Sequence, residues 1–208
     1  RQSYLNNPTL QLKEVLVNDL QDFLYARNDL LIAYLDQLID RSKDYLVFAD
    51  FESVSSWQNY LKQQNQQIAS ELSLPEMISL ADDFSDNFRQ INTDVHKSLV
   101  FLTIAEQEAI IKRIELFQLK IAQSLISGPT DKDLIITWLG EVGKKLEAAK
   151  LAHDQAEEIV GKMRLIRGTA DNNADLKKAK DQLVAANSKI KEAIVYLDEI
   201  VKRIKENG

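Results

Sequence analysis

The stretch from Asn173 to Lys205 carries an apolar residue at every third or fourth position. Successive members of this row are separated by 3, 4, 3, 4, 4, 3, 4 and 3 residues. Only a helix places residues with this spacing on one side, and so narrow a row is typical of a coiled-coil seam. We therefore predict a long helix whose seam consists of Leu176, Ala179, Leu183, Ala186, Ile190, Ile194, Leu197, Val201 and Ile204.

A second apolar row with similar spacing precedes the first along the chain. Between Asp131 and Arg167 it consists of Val142, Leu146, Ala149, Ala156, Val160 and Met163. The segment between the rows, residues 168–173, is too short for anything other than a turn that reverses the chain direction. The two rows therefore predict a long antiparallel helical hairpin from residue 131 to residue 207.

Three glycines, Gly140, Gly143 and Gly161, lie inside the first helix of this predicted hairpin. A glycine in a helix interior costs about 1 kcal/mol relative to alanine. Two explanations stay open. Either a neighbouring helix packs closely against the glycines, or the helix bends there. Close packing is the explanation that we favour.

The scarcity of glycine and proline extends the helical prediction to the rest of the chain. The 208 residues include six Gly and three Pro, whereas sheet-rich folds need many turns and therefore many of these residues. A composition of 45% hydrophobic and 28% charged residues is ordinary for a globular protein. We predict an all-α fold, an elongated bundle of about six antiparallel helices that includes the C-terminal coiled-coil-like hairpin.

Local signals predict where these helices begin and end. Residues 9–48 contain no Gly or Pro, and Ser55 with Gln58 fits a capping box at the start of a second helix. Pro75 ends or kinks that helix and can begin the next. A further capping-box pattern, Thr103 with Glu106, predicts a helix boundary near Leu102.

These boundaries predict two parts of different character. Residues 1–129 form an aromatic-rich bundle of four helices, since 12 of the 15 aromatic residues precede residue 105. Residues 130–208 form the long antiparallel hairpin, packed with the first part as one elongated unit. In the second helix, residues 63–67 are all amides, and we expect them to form a solvated face.

Charge and composition exclude several classes of partner. The net charge of −6 argues against nucleic acid, because phosphate binding needs a clustered positive field. No apolar run approaches the roughly 18 residues of a membrane span, so we expect none within this chain. The absence of cysteine removes disulfides and thiolate metal sites.

The lack of any catalytic motif predicts a protein that is not an enzyme and that carries no cofactor and no metal. Neither His96 nor His153 has a carboxylate three residues before it, so the di-iron pattern of helical bundles fails. The acids Asp82, Asp83 and Asp86 do not match a calcium loop and fit the first turns of a helix. His153 lies on a seam, where it is either a pH-sensitive element or, as we favour, an edge residue that reaches water or a carboxylate.

Arg27 is the one candidate for ligand binding, because it lies near an apolar stripe where an unpaired charge is costly. Its planar guanidinium could grip a carboxylate ligand, or it could form an ion pair at the rim of an interface. The ion pair is the interpretation that we favour. The ligand interpretation predicts a pocket among the first helices, lined by Arg27, Phe23, Tyr34, Phe84 and Phe88.

Two functions follow as expectations. The first is a non-catalytic helical-bundle module that binds another protein or itself through its helical faces, or that acts as a spacer. The second is the extracytoplasmic ligand-binding sensor domain of a membrane receptor, with a membrane anchor outside this chain and a small-molecule ligand. A cytosolic adaptor is a third expectation that the sequence does not separate from the first, and the compartment stays open.

Overall fold

The computed structural model of this chain describes residues 10–45, 51–70, 72–125, 131–163 and 170–207. These residues contain no β-strand, so the predicted all-α class is confirmed. Within them lie five helices, which are α1 (Leu10–Tyr45), α2 (Glu52–Ala69), α3 (Leu74–Ser124), α4 (Lys132–Lys162) and α5 (Ala170–Asn207).

The predicted helix boundary near Leu102 is wrong, because α3 continues through it for 51 residues. Thr103 does not cap a new helix. Its hydroxyl instead donates to the carbonyl of Leu99, 2.8 Å away and one turn back in the same helix. The third and fourth predicted helices are therefore one helix, and the described count falls from six to five.

The start of α2 also differs from the prediction. The helix begins at Glu52, after Phe51, so Ser55 and Gln58 lie inside it and do not form a capping box. A side-chain cap stands instead at the start of α3, where the Glu76 carboxylate accepts hydrogen bonds from the Ser73 backbone N–H at 2.7 Å and from the Ser73 hydroxyl at 2.6 Å. Proline suits such a first turn, where its missing N–H removes no helical hydrogen bond.

The contacts between residues divide the chain into two compact units, Arg1–Ser98 and Leu99–Gly208. The division falls within α3, whereas the sequence analysis places it between residues 129 and 130. Val100 and Ile104 belong with the second unit because they pack against Ala156 and Leu183 of the hairpin.

The N-terminal unit consists of α1, α2 and the first half of α3. Leu24, Ile68 and Met77, one residue from each helix, form a buried apolar cluster. The Gln21 side-chain amide donates to the carbonyl of Ile68 at 3.0 Å, and the Trp57 indole donates to Asp94 at 2.8 Å. These contacts hold α2 against α1 on one side and against α3 on the other.

The C-terminal unit contains the predicted antiparallel hairpin of α4 and α5. Lys145 forms an ion pair with Glu192 at 2.7 Å, and Asp131 at the start of α4 lies 2.6 Å from Arg203 near the end of α5. The second half of α3 packs on the hairpin through a row of isoleucines that joins its buried core. That row is Ile111, Ile114 and Ile121.

The seam of α5 differs from the predicted one at two positions. Ala193 and Ile200 are fully buried, whereas Ile194 is 38% exposed and Val201 is only partly buried. With these two residues, the spacing becomes a strict alternation of 3 and 4, which is the heptad repeat of a coiled coil. All six residues of the predicted row on the first hairpin helix are buried, including Met163, which directly follows the end of α4.

Two predicted turns lie wholly or partly outside the described residues. Gly128, Pro129 and Thr130 lie outside the described residues, as do Gly168 and Thr169. Helix α5 begins at Ala170, so the predicted turn is wrong for residues 170–173, which are helical. Within the described residues, no helix has an 18-residue stretch apolar enough to cross a lipid bilayer.

Candidate binding face on the first helix

The guanidinium of Arg27 lies over the ring of Phe84, with its central carbon 3.6 Å from the ring centroid. Its Nη2 atom donates to the side-chain oxygen of Asn28 at 2.8 Å and to that of Gln64 at 3.1 Å. Partial burial lowers the pKa of Arg27. The ring beneath it and the two amide oxygens are its immediate neighbours. Both sequence-based interpretations give Arg27 a carboxylate partner, whereas these contacts are with amides and a ring.

The amides that hold Arg27 are themselves buried between α1 and α2. Asn28 has no exposed surface and donates to the Asn65 side chain at 2.9 Å, while Gln64 is 2% exposed. The prediction that residues 63–67 form a solvated face is therefore wrong at Gln64. Leu61 lies three residues before Gln64 and Ile68 lies four residues after it. This spacing is the sequence signal that places Gln64 on the buried side of the helix.

Tyr60 extends this polar network to α3. Its hydroxyl donates to Asp83 at 2.6 Å and accepts a hydrogen bond from Gln64 at 2.7 Å. Burial, ahead of the hydrogen bond to Asp83, raises the pKa of Tyr60 to about 12. Of the three acids in the predicted helix-start cluster, Asp83 thus has a structural role in joining α2 to α3.

The five residues of the predicted pocket fall into two groups. Arg27, Phe84 and Phe88 come together, because Arg27 stacks on Phe84 and the two phenylalanine rings lie 5.5 Å apart between centroids. Phe23 and Tyr34 lie on α1 and are 61% and 40% exposed, and Phe88 is itself 45% exposed. Two depressions on the described surface lie elsewhere, one at Lys13 to Asn18 and one around Leu125 and Ile136.

An exposed apolar row runs along α1 beside the stacked Arg27. Phe23 is 61% exposed, Leu30 is 73% exposed and Tyr34 is 40% exposed. Their separations of seven and four residues place them on one side of the helix. We call these three residues the outer face of α1. In the N-terminal unit this face is open to solvent.

His153 does not lie at the edge of its seam as predicted. It is 2% exposed and bonds to the side-chain oxygen of Gln107 on α3, which is an amide and not a carboxylate. Among the described residues, no group of three or more His, Asp or Glu side chains is arranged to hold a metal ion.

No protein-family model, no curated protein and no solved structure matches this chain.

Proposed function

We propose that this chain is a non-catalytic protein-interaction module and that the outer face of α1 is its docking surface. The observation that supports the proposal is the exposure of Phe23, Leu30 and Tyr34 along one side of a 36-residue helix. Single exposed apolar residues are normal on any protein. Several aligned on one face of a helix are typical of a surface that another helix covers.

The alternative role for a non-catalytic helical bundle is a spacer that has no docking surface. A helix that only separates two ends of a protein needs polar residues on its outer side, because exposed apolar rows promote association. The outer face of α1 has the opposite character, with a leucine that is more exposed than Phe23 or Tyr34. This difference favours an interaction module over a spacer.

The sensor-domain function depends on an Arg27 that can hold a ligand carboxylate. The guanidinium already has two amide-oxygen partners, bound through its Nε and Nη2 atoms, and it stacks on the Phe84 ring. A ligand carboxylate that took the same donors would displace these amides. Such displacement costs the hydrogen bonds that hold the buried Asn28 and Gln64 in place. The contacts around Arg27 therefore support the interaction module more than the sensor domain.

Photo-crosslinking from a single position tests the proposed docking surface. A photoreactive phenylalanine analogue at position 30 should give a discrete protein adduct, with a second copy or with another protein. The same analogue at position 184, where Val184 is equally exposed on α5, is the matched control and should give none. A chain that sediments as a monomer at all concentrations and gives no adduct from position 30 would contradict the proposal.

A further inference from the structure

We infer that the outer face of α1 docks a basic amphipathic helix of a partner protein. The inference rests on the proposed function, because it specifies the partner of the same surface. Its evidence is the charge that accompanies the apolar residues.

A row of aspartates runs parallel to the apolar row on α1. Asp22 directly precedes Phe23, Asp29 directly precedes Leu30, and Asp36 continues the same spacing of seven. Because one residue turns an α-helix by about 100°, the acidic row lies beside the apolar row along its length. All three aspartates are exposed, so their carboxylates border the outer face on one side.

The described contacts leave this row negatively charged. Asp29 accepts a hydrogen bond from the side-chain amide of Asn65 at 2.7 Å, and Asp36 accepts one from the amide of Gln58. Both donors are neutral, so neither cancels a charge. Lys43 partly compensates the end of the row: it pairs with Asp40 at 2.6 Å, and the hydrogen bond to Asp40 and, more weakly, the charge of Asp36 raise its pKa.

The whole N-terminal unit has the same sign of charge. Residues 1–98 contain 15 Asp and Glu against 8 Lys and Arg, which gives a net charge of −7. A field of this sign raises the association rate of a cationic partner and opposes an anionic one. Pairing of two copies through this same face would bring two aspartate rows together, and juxtaposed like charges disfavour a complex.

The spacing of the outer face sets the form of the partner. From Phe23 to Tyr34 the row spans eleven residues, or about 16 Å at 1.5 Å per residue. A partner helix of three to four turns, with apolar residues at intervals of three and four, matches that length. Lysine or arginine beside its apolar stripe would then lie opposite the aspartate row. Such residues also extend their methylene stems over apolar surface.

Two synthetic helical peptides of 18 residues test this match against the full chain. Both carry the same leucine and alanine stripe, and the flanking positions are lysine in one and glutamate in the other. Fluorescence anisotropy should show the lysine peptide binding at least about tenfold more tightly than the glutamate peptide. The difference should shrink as salt is raised, because screening weakens exposed charge pairs.

Matched substitutions locate the binding. Leu30→Gln should weaken the lysine peptide by about tenfold, as truncation of a central docking residue does, whereas Val184→Gln should leave it within about twofold. Asp22→Asn together with Asp29→Asn should reduce the preference for lysine over glutamate and keep the shape of the face. The exposed pair Asp181→Asn and Asp198→Asn on α5 is the charge-matched control.

The inference is overturned if the two peptides bind with equal affinity or if neither binds. It is also overturned if Leu30→Gln leaves the affinity of the lysine peptide unchanged. Crosslinking from position 30 then separates this failure from that of the proposed function. An adduct with a second copy or with an acidic segment of a partner would keep the docking surface and remove its basic partner. If neither a peptide nor an adduct is found, both proposals fall.

Discussion

The Nε2 atom of His153 lies 2.6 Å from Oε1 of Gln107, in the buried core of the C-terminal unit. The Nε2 atom of Gln107 donates to the carbonyl of Leu183, 3.3 Å away, so its oxygen is the atom turned towards the histidine. That oxygen can only accept, and therefore the His153 proton resides on Nε2. Nδ1 is then unprotonated, and it is buried without a hydrogen-bond partner among the described residues.

This arrangement predicts that acid destabilises the C-terminal unit. Burial lowers the pKa of His153 below 6.5, while Glu108 and Asp154 act more weakly in the opposite direction. Because the unfolded chain binds the proton first, the free energy of unfolding falls as the pH drops below about 6.5. The loss of stability levels off once the pH is below the pKa of His153 in the folded chain. The full stability is present above the pKa of His153 in the unfolded chain.

Urea unfolding at pH steps from 5 to 8 measures this dependence. The chain has two tryptophans, Trp57 in the N-terminal unit and Trp138 in the C-terminal unit. In a Trp57→Phe background, the fluorescence of Trp138 reports on the unit that contains His153. His153→Gln should remove the loss of stability between pH 7 and 5, whereas His96→Gln should retain it. An unchanged pH profile in His153→Gln would contradict the prediction.

The pair itself predicts a strong coupling between two core substitutions. Gln107→Leu alone should cost about 1–3 kcal/mol, because it leaves the Nε2 hydrogen of His153 buried without an acceptor. Adding His153→Leu removes that unsatisfied donor, so the double variant should be less destabilised than the sum of the single variants.

A double-mutant cycle measured with the same Trp138 signal gives the coupling free energy, expected at about 0.5–3 kcal/mol. The exposed pair Lys144→Ala and Glu141→Ala is the control, since surface ion pairs contribute about 0–1 kcal/mol. Additive effects of Gln107→Leu and His153→Leu would show that the hydrogen bond between them contributes nothing.

The fold class and the hairpin were within reach of the sequence because both rest on long periodic rows. Heptad spacing in α4 and α5 constrains many residues at once, so one misplaced residue does not alter the helix. Local capping patterns are less informative, since three residues are compatible with several structures. Thr103 shows this, because the apolar positions before and after it pack on the same hairpin and carry α3 through the pattern.

The surroundings of Arg27 were beyond the sequence for a different reason. Its proximity to an apolar stripe can be inferred from spacing, and Asn28 is its neighbour in the chain. Its other partners come from α2 and α3. Gln64 and Phe84 lie 37 and 57 positions further along the chain. Such pairings depend on which helices become neighbours and in which register, and a single sequence does not specify either.

The corrected seam of α5 makes a prediction about two isoleucines. Ile200 is fully buried and Ile194 is 38% exposed, although both lie on the same helix. Ile200→Ala should cost about 2–5 kcal/mol, which is the range for truncating a core isoleucine. Ile194→Ala should cost about 1 kcal/mol or less, because its site stays open to water.

Urea unfolding of these two variants distinguishes the observed seam from the predicted one. The seam read from the sequence includes Ile194 and does not include Ile200, so it predicts the larger loss for Ile194→Ala. Equal losses would mean that both residues contribute to the core to the same extent. Far-UV circular dichroism of each variant checks that α5 remains helical.

The glycines of α4 make the last prediction, since the close packing expected from the sequence is absent around them. A Cβ atom built on Gly140, Gly143 or Gly161 meets nothing within 4 Å, so the packing explanation is wrong for these residues. Alanine at an open helix-interior site reduces the entropy lost on folding. Gly140→Ala and Gly143→Ala should therefore each stabilise the C-terminal unit by about 0.5–1 kcal/mol.

The midpoint of thermal unfolding should shift upwards by about 2–4 °C per kcal/mol in a chain of this length. The reverse change at an exposed position of the same helix, Ala148→Gly, should lower stability by a similar amount. A loss of stability in Gly140→Ala would mean that a group outside the described residues, or a second chain, lies against this side of α4.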